Sequence, residues 1–349
     1  VTAAQWLLLV AWAGLTLYVL FAGADFGGGF WDLLAGGDVK GMPQRRLIEH
    51  SIGPVWEANH VWLIFVIVMF WTGFPAVFAS VASTMYIPLT LVAFGIIARG
   101  AAFAFRKAST ELWQQRLFGA AFALSSVLTP FFLGTVAGGV ASGRVPLGIA
   151  RGDLVASWLN PTSVLAGLLA VGTTAYLAAA YLTADARRQG QDDLAEAFRR
   201  RALVTGAVTG AVALGGIAVL RADAPRLFAG LTGRALPIVV VSALAGLVSL
   251  VLLVQRRYVA VRATAALAVA AVVWGWAVAQ YPYLLLPDAT VAKTAADPAV
   301  LRATLAVLAV GTLLLVPSLL WLFSLFQREH TVAAHDQADG PAPSGHPAA

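Results

Sequence analysis

Residues 6–35 read WLLLVAWAGLTLYVLFAGADFGGGFWDLLA, and the first nineteen of them, Trp6 to Ala24, carry no charge. A helix rises about 1.5 Å per residue, so roughly 20 apolar residues cross the hydrocarbon core of a bilayer. This stretch is too long for the apolar core of a signal peptide. It lacks a basic leader and a small-residue cleavage site, so it reads as a permanent first span. The same pattern recurs at 52–71, 76–104, 117–141, 162–183, 202–220, 236–254, 263–281 and 303–326, separated by charged or Pro/Gly-rich joints. Composition agrees. Of 349 residues, 60% are hydrophobic and 11% charged, and mean hydropathy is +0.81, whereas soluble domains run about 45–50% apolar and roughly 25% charged. A soluble enzyme and a disordered or fibrous chain are both excluded. The expected fold class is all-α: a polytopic membrane protein of about nine transmembrane helices.

Lys and Arg set the orientation. Fifteen of the 23 lie in one alternating set of joints, seven in the other, and Arg99 lies inside the third stretch. That bias predicts an odd number of spans with the N-terminus outside and the C-terminus cytoplasmic. It also accounts for the net charge of +6 without nucleic acid, which would need a basic face on a soluble surface. The segment Thr183–Arg201 is the most charged and reads as a cytoplasmic connector carrying a short amphipathic helix. It divides the chain into four spans before and five after, consistent with two four-helix bundles and one further helix. The expected organisation is a single transmembrane domain over 1–330, with 1–141 as the first bundle and 162–330 as the second half. Residues 331–349, small, polar and Pro/Gly-rich, read as a disordered cytoplasmic tail. Pro88, Pro130 and Pro317 fall inside spans and are expected to kink or locally unwind them. Tyr281 and Tyr283 suit an interfacial aromatic belt.

An ionisable group inside a span costs about 2.5–3.5 kcal/mol on insertion scales, so each needs a reason. Those present cluster early: Asp25, Asp32, Glu57, His60 and Arg99. Asp25 lies about 28 Å along the first helix from Trp6, and Glu57 and His60 lie about 8 and 12 Å into the second from the opposite side. Both carboxylates therefore sit at similar, cytoplasm-proximal depth. Glu57 and His60, at i and i+3, share a face with Asn59 nearby, an arrangement suited to passing a proton inward through water. Asp32 and Arg99 read as polar anchors, solvated or snorkelling at the interface. Gly27, Gly28 and Gly29 read as packing around Asp25, with room for a local helix break; no strand precedes them, so a phosphate loop is excluded.

Glu57-Ala-Asn-His60 also has the spacing of di-iron carboxylate bundles, but the other glutamates, Glu49, Glu111, Glu196 and Glu329, lie in joints or flanks, and that site is rejected. No cysteine is present, which removes disulfides, thiolate metal sites and iron–sulfur clusters. Of five histidines only His60 lies within a span, and Met69 and Met85 read as packing, so the chain is expected to bind no metal and to be a poor haem protein.

Phe21-Ala-Gly-Ala-Asp25-Phe-Gly-Gly-Gly29 and Ser51-Ile-Gly-Pro-Val-Trp56-Glu57-Ala-Asn59-His60-Val-Trp62 resemble subunit II of the cytochrome bd-type quinol oxidases. Leu159-Asn160-Pro161 with Leu165-Ala-Gly167, Tyr281-Pro282-Tyr283 and the last span with Pro317 extend the resemblance to all but the tail. It implies a bacterial plasma-membrane complex that oxidises quinol and reduces dioxygen to water with protons from the cytoplasm. The haems, b-type and d-type, and the quinol site belong to subunit I. This chain is then a haem-free scaffold contributing to a proton pathway. Some members hold a structural quinone in this subunit, and a small single-helix accessory subunit is a further implied partner. Glu57 falls at the family's acid after the Trp and Asp25 at the second acid of its first-span motif. The first acid of that motif is replaced by Ala22. Glu57, Asp25 and His60 are the expected proton-pathway residues, supported by Trp56, Asn59 and Trp62. The competing reading, a proton-coupled secondary transporter, places its acids near the midplane at symmetry-related broken helices, and the second half of this chain offers no such partner.

Overall fold

The computed structural model describes the backbone of residues 1–52, 56–109 and 111–338, with the side chains of 38–40, 52, 56–58, 107, 112, 316, 319, 320 and 322–338 left out. In chain order the elements are α1 (Ala3–Leu33), α2 (Asp38–Ile52), α3 (Trp56–Gly73), α4 (Pro75–Thr84), α5 (Tyr86–Ala108), α6 (Leu112–Ala141), α7 (Pro161–Arg188), α8 (Asp192–Asp223), α9 (Pro225–Thr232), α10 (Leu236–Val254) and α11 (Tyr258–Gln280). A two-stranded antiparallel hairpin, β1 (Tyr283–Leu285) and β2 (Ala289–Thr290), then leads through α12 (Val291–Thr294) to α13 (Pro298–Ala338). Eight of the described helices are long and apolar enough to cross a membrane: α1, α5, α6, α7, α8, α10, α11 and the Pro298–Leu315 part of α13. Of the stretch expected to span at 52–71, Ile52 ends α2, 53–55 lie outside the described residues and the rest belongs to α3, whose apolar part, Asn59–Gly73, is shorter.

Local chemistry fixes the helix starts. Thr2 and Gln5 form a capping box at α1: the Gln5 N–H donates to Thr2 Oγ1 at 3.3 Å and the Thr2 N–H to Gln5 Oε1 at 2.7 Å, pairing two of the backbone donors that a helix start leaves open. At α7 the Ser163 N–H donates to Asn160 Oδ1 at 2.9 Å, and Pro161 occupies the first helical position, where its missing N–H costs nothing. This pairing explains the Asn160-Pro161 dipeptide.

Residues 1–296 make one compact unit. Within it α7 is the central helix, packing against α1, α6, α8 and α11, while α5 lies on α6 and α10 on α11. The close approach of α1 is written in its glycines. A Cβ at Gly27 would lie 1.9 Å from the Thr174 carbonyl oxygen of α7, and one at Gly29 would lie 2.1 Å from Ser126 Oγ of α6. Only glycine admits such proximity. The glycine run thus packs as expected, but α1 continues through it without a break.

Several boundaries differ from expectation. The stretch 76–104 is two helices, α4 and α5, meeting at Met85. Pro88 therefore sits in the first turn of α5, where it lacks no hydrogen bond, instead of kinking a longer span. Pro130 lies inside an unbroken α6. The connector at 183–201 contains no separate amphipathic helix: α7 runs on to Arg188 and α8 starts at Asp192, with Gly190 at φ +70° in the turn between them. Helix α2 occupies a joint that hydropathy alone passed over. Helix α13 is a single helix containing Pro317; it continues eight residues past the expected tail boundary at 330, and 339–349 lie outside the described residues.

Opposite the connector, Asp223 at the end of α8 gathers the α6–α7 loop. Arg144 donates through Nη2 to Oδ1 at 2.6 Å and through Nη1 to Oδ2 at 3.1 Å, and Thr162 donates to Oδ2 from Oγ1 at 2.6 Å and from its N–H at 3.1 Å.

Candidate functional site

Two carboxylate–guanidinium pairs join α1 to α5. Asp25 and Asp32 are seven residues apart on α1, and Arg99 and Arg106 are seven apart on α5. Seven residues are close to two helical turns, so each pair keeps to one face. The inner pair is closed. Arg99 Nη2 donates to Asp25 Oδ1 at 2.7 Å and to the Asp25 carbonyl at 3.1 Å, Nη1 donates to Oδ2 at 3.0 Å, and Nε donates to Ser126 Oγ at 3.0 Å. Arg99 is 1% exposed and Asp25 3%. The guanidinium also lies over the rings of Phe26, at 5.1 Å, and Phe122, at 4.8 Å. Burying two charges is tolerable only with this degree of pairing and hydrogen bonding.

The second pair is more open. Arg106 Nη1 donates to Asp32 Oδ2 at 2.9 Å, and Arg45 of α2 brings its Nε to 3.2 Å from Oδ1. Arg45 Nη2 also donates to the Gly36 carbonyl at 2.7 Å, tying the turn after α1 to α2. Asp32 is buried, whereas both arginines keep partial exposure. The expectation that Asp32 and Arg99 are solvated or snorkelling is therefore corrected. Each is enclosed and ion-paired, because its partner stands at equal depth on the neighbouring helix.

The expected site residues fall beside the inner pair. Asn59 is buried, with Nδ2 3.5 Å from the Phe21 carbonyl of α1. The His60 ring stands edge-on to Phe26 at 5.7 Å and tilted to Tyr18 at 6.2 Å. His60 Nδ1 and the Tyr18 hydroxyl are both enclosed without a hydrogen-bond partner. Trp62 packs against the cluster of Tyr18, Ala22 and Phe26. The side chains of Glu57 and Trp56 lie outside the described residues, although both belong to α3. Asp25, Asn59, His60 and Trp62 thus converge on the α1–α3 contact. Sequence reasoning missed the partners Arg99, Arg106, Arg45 and Ser126; the shared spacing of seven on α1 and α5 was the signal that could have found them.

A cavity of about 390 Å³ lies beside this cluster, between α1, α6, α7, α8, α9 and α11, and its lining is almost wholly apolar. Among its polar lining groups, Thr162 Oγ1 and Thr174 Oγ1 already donate within the protein, while the Tyr18 hydroxyl does not. The size falls within the usual range of small-molecule sites. Among the described residues no group of three or more metal-ligating side chains comes together.

Residues 3–326 match the sequence model for cytochrome bd terminal oxidase subunit II. A cytochrome bd ubiquinol oxidase subunit 2 of Bacillus subtilis is 32% identical over 131 residues, 38% of either chain. A cytochrome bd-I ubiquinol oxidase subunit 2 of Escherichia coli K12 is 28% identical over 187 residues, 51% of this chain and 47% of that one. The alignments thus span less than half of each of these relatives. At the level of structure, a chain of the bd oxidase from Geobacillus thermodenitrificans superposes with a TM-score of 0.70 at 25% identity, covering 93% of this chain and 99% of that one. With its apolar helices and a family match that takes in the α1–α5 ion pairs and the α3 cluster alike, this multi-pass bacterial membrane protein belongs to the cytochrome bd terminal oxidase subunit II family.

Proposed function

We propose that this chain is the haem-free subunit of a bd-type quinol oxidase, paired with a haem-bearing subunit I, and that it admits protons from the cytoplasmic side for reduction of dioxygen to water. The observation that carries the reading is the family match over residues 3–326. The proposal includes the two four-helix bundles plus one helix, an external N-terminus and a cytoplasmic C-terminus, as the Lys/Arg alternation predicts. Quinol and dioxygen are substrates of the complex, and a small single-helix subunit is a further partner.

In this reading the residues have distinct tasks. Glu57, at the start of α3, takes up a proton through water. His60, one turn on, offers Nδ1, which no protein group occupies. Asp25 tunes the field and does not carry the proton, because both its oxygens already accept from Arg99. Asn59 and Trp62 fix the α1–α3 contact. Were an isoprenoid quinone held structurally by this chain, the apolar cavity would enclose it and the Tyr18 hydroxyl would be a group free to donate to it; it would add apolar filling between the helices.

Purification from the native membrane in mild detergent, followed by a reduced-minus-oxidised spectrum, tests the assignment. Haem bands together with a second large membrane subunit are expected. A stable, monodisperse, haem-free preparation of this chain alone would overturn it.

A further inference from the structure

The cytoplasmic ends of α7, α8 and α11 are rich in arginine, and most of these groups have carboxylates. Glu196 alone serves three: Arg199 at 2.7 Å, Arg200 at 3.1 Å and Arg256 at 3.5 Å. Asp185 pairs with both Arg188 and Arg262. The local acids are therefore oversubscribed. Arg201, on α8, gets none of them. Its guanidinium carbon lies 5.1 Å from the centre of the Trp31 ring and 5.0 Å from that of Phe198, and its Nη1 is enclosed without an acceptor.

The setting is built, not incidental. Trp31 is held by its indole N–H, which donates to the Ala175 carbonyl of α7 at 2.8 Å, and Phe198 is fully buried in the same core as Trp31, Leu47 and Ile48. Aromatic faces attract a cation, but they supply no hydrogen-bond acceptor. Arg201 as a whole is half-buried, so its fork stays reachable from outside while this one nitrogen lacks an acceptor. The corner also stands where the charge alternation puts the inner leaflet, at the level of lipid headgroups.

We propose that Arg201, framed by Trp31 and Phe198, binds a phosphate group, the headgroup of an anionic phospholipid or a free phosphate anion. The planar fork of arginine matches phosphate oxygens, and the surplus of arginines around Glu196 and Asp185 raises the local concentration of anions.

The test uses the purified native assembly in neutral detergent with fluorescently labelled phosphatidylglycerol. Unlabelled phosphatidylglycerol should displace the probe, and diacylglycerol with the same chains should not. Displacement by millimolar inorganic phosphate would identify the free anion as the source, and its failure the lipid; either supports the phosphate site. Arg201→Gln should weaken binding about tenfold or more, Arg201→Lys less than that, and Arg226→Gln, at an exposed position on α9, hardly at all. Equal displacement by diacylglycerol, which needs no variant, or unchanged affinity in a folded R201Q assembly would overturn the proposal.

Discussion

Among the described residues Asp25 and Arg99 form the most completely buried ion pair, and each makes the other tolerable. Replacing one alone strands the other, which costs about 3–5 kcal/mol. Asp25→Asn is expected to lower the thermal midpoint of the detergent-solubilised protein sharply, and R99Q to do the same. Tyr18→Phe is the contrast: its enclosed hydroxyl has no hydrogen-bond partner, so removing it loses no bond and relieves an unpaired buried group, and the midpoint should stay at or above that of wild type. A midpoint drop in Y18F as large as that in D25N would show that the hydroxyl has a partner in the membrane. At this scale the sequence told half the story. An acid within a long apolar run is visible at once, since its insertion cost demands an explanation. The identity of its partner is not, because pairing depends on which helices adjoin. Arg99 read as a snorkelling cation for that reason, although the seven-residue spacing it shares with the two aspartates was present all along.

At the scale of elements, α1 meets α6 and α7 through glycine. Gly27→Ala places a methyl group 1.9 Å from a backbone carbonyl oxygen, and backbone does not yield cheaply; overpacking of this kind costs about 1–3 kcal/mol or more. Gly37→Ala, where nothing lies within 4 Å, should be close to neutral. Thermal unfolding of the two variants side by side checks this, and equal midpoints would contradict the close α1–α7 contact. Hydropathy located the apolar runs because a bilayer imposes length and composition on each one. It could not see that 76–104 turns at Met85, since α4 and α5 are both apolar and differ only in direction. Nor could it see α2, whose residues satisfy a helix while their polarity hides it. The amphipathic helix expected in the connector dissolved for the opposite reason: its charges lie on the ends of α7 and α8, paired with one another.

Across the whole molecule, Arg144 and Asp223 hold the α6–α7 loop to the end of α8. The pair is partly exposed, at 30% and 16%, so solvent screening limits its worth. Arg144→Ala should cost about 1 kcal/mol, with Thr162 still donating to Asp223, and a loss as large as that of D25N would show the loop to be a structural keystone. Topology is testable independently of stability. An alkaline phosphatase fusion in the 148–152 loop is expected to be active, and a fluorescent-protein fusion at Gln189–Gln191 to fluoresce; the reverse pattern would invert the orientation. Glu57 bears most directly on the central claim. In the assembled oxidase, with haem content verified by its reduced-minus-oxidised spectrum, Glu57→Ala is expected to cut quinol-driven oxygen consumption and proton uptake about tenfold or more while leaving the haem bands intact, in line with the loss of a positioned acid–base group. Wild-type turnover and proton uptake in that variant would contradict the claim that this chain admits the protons.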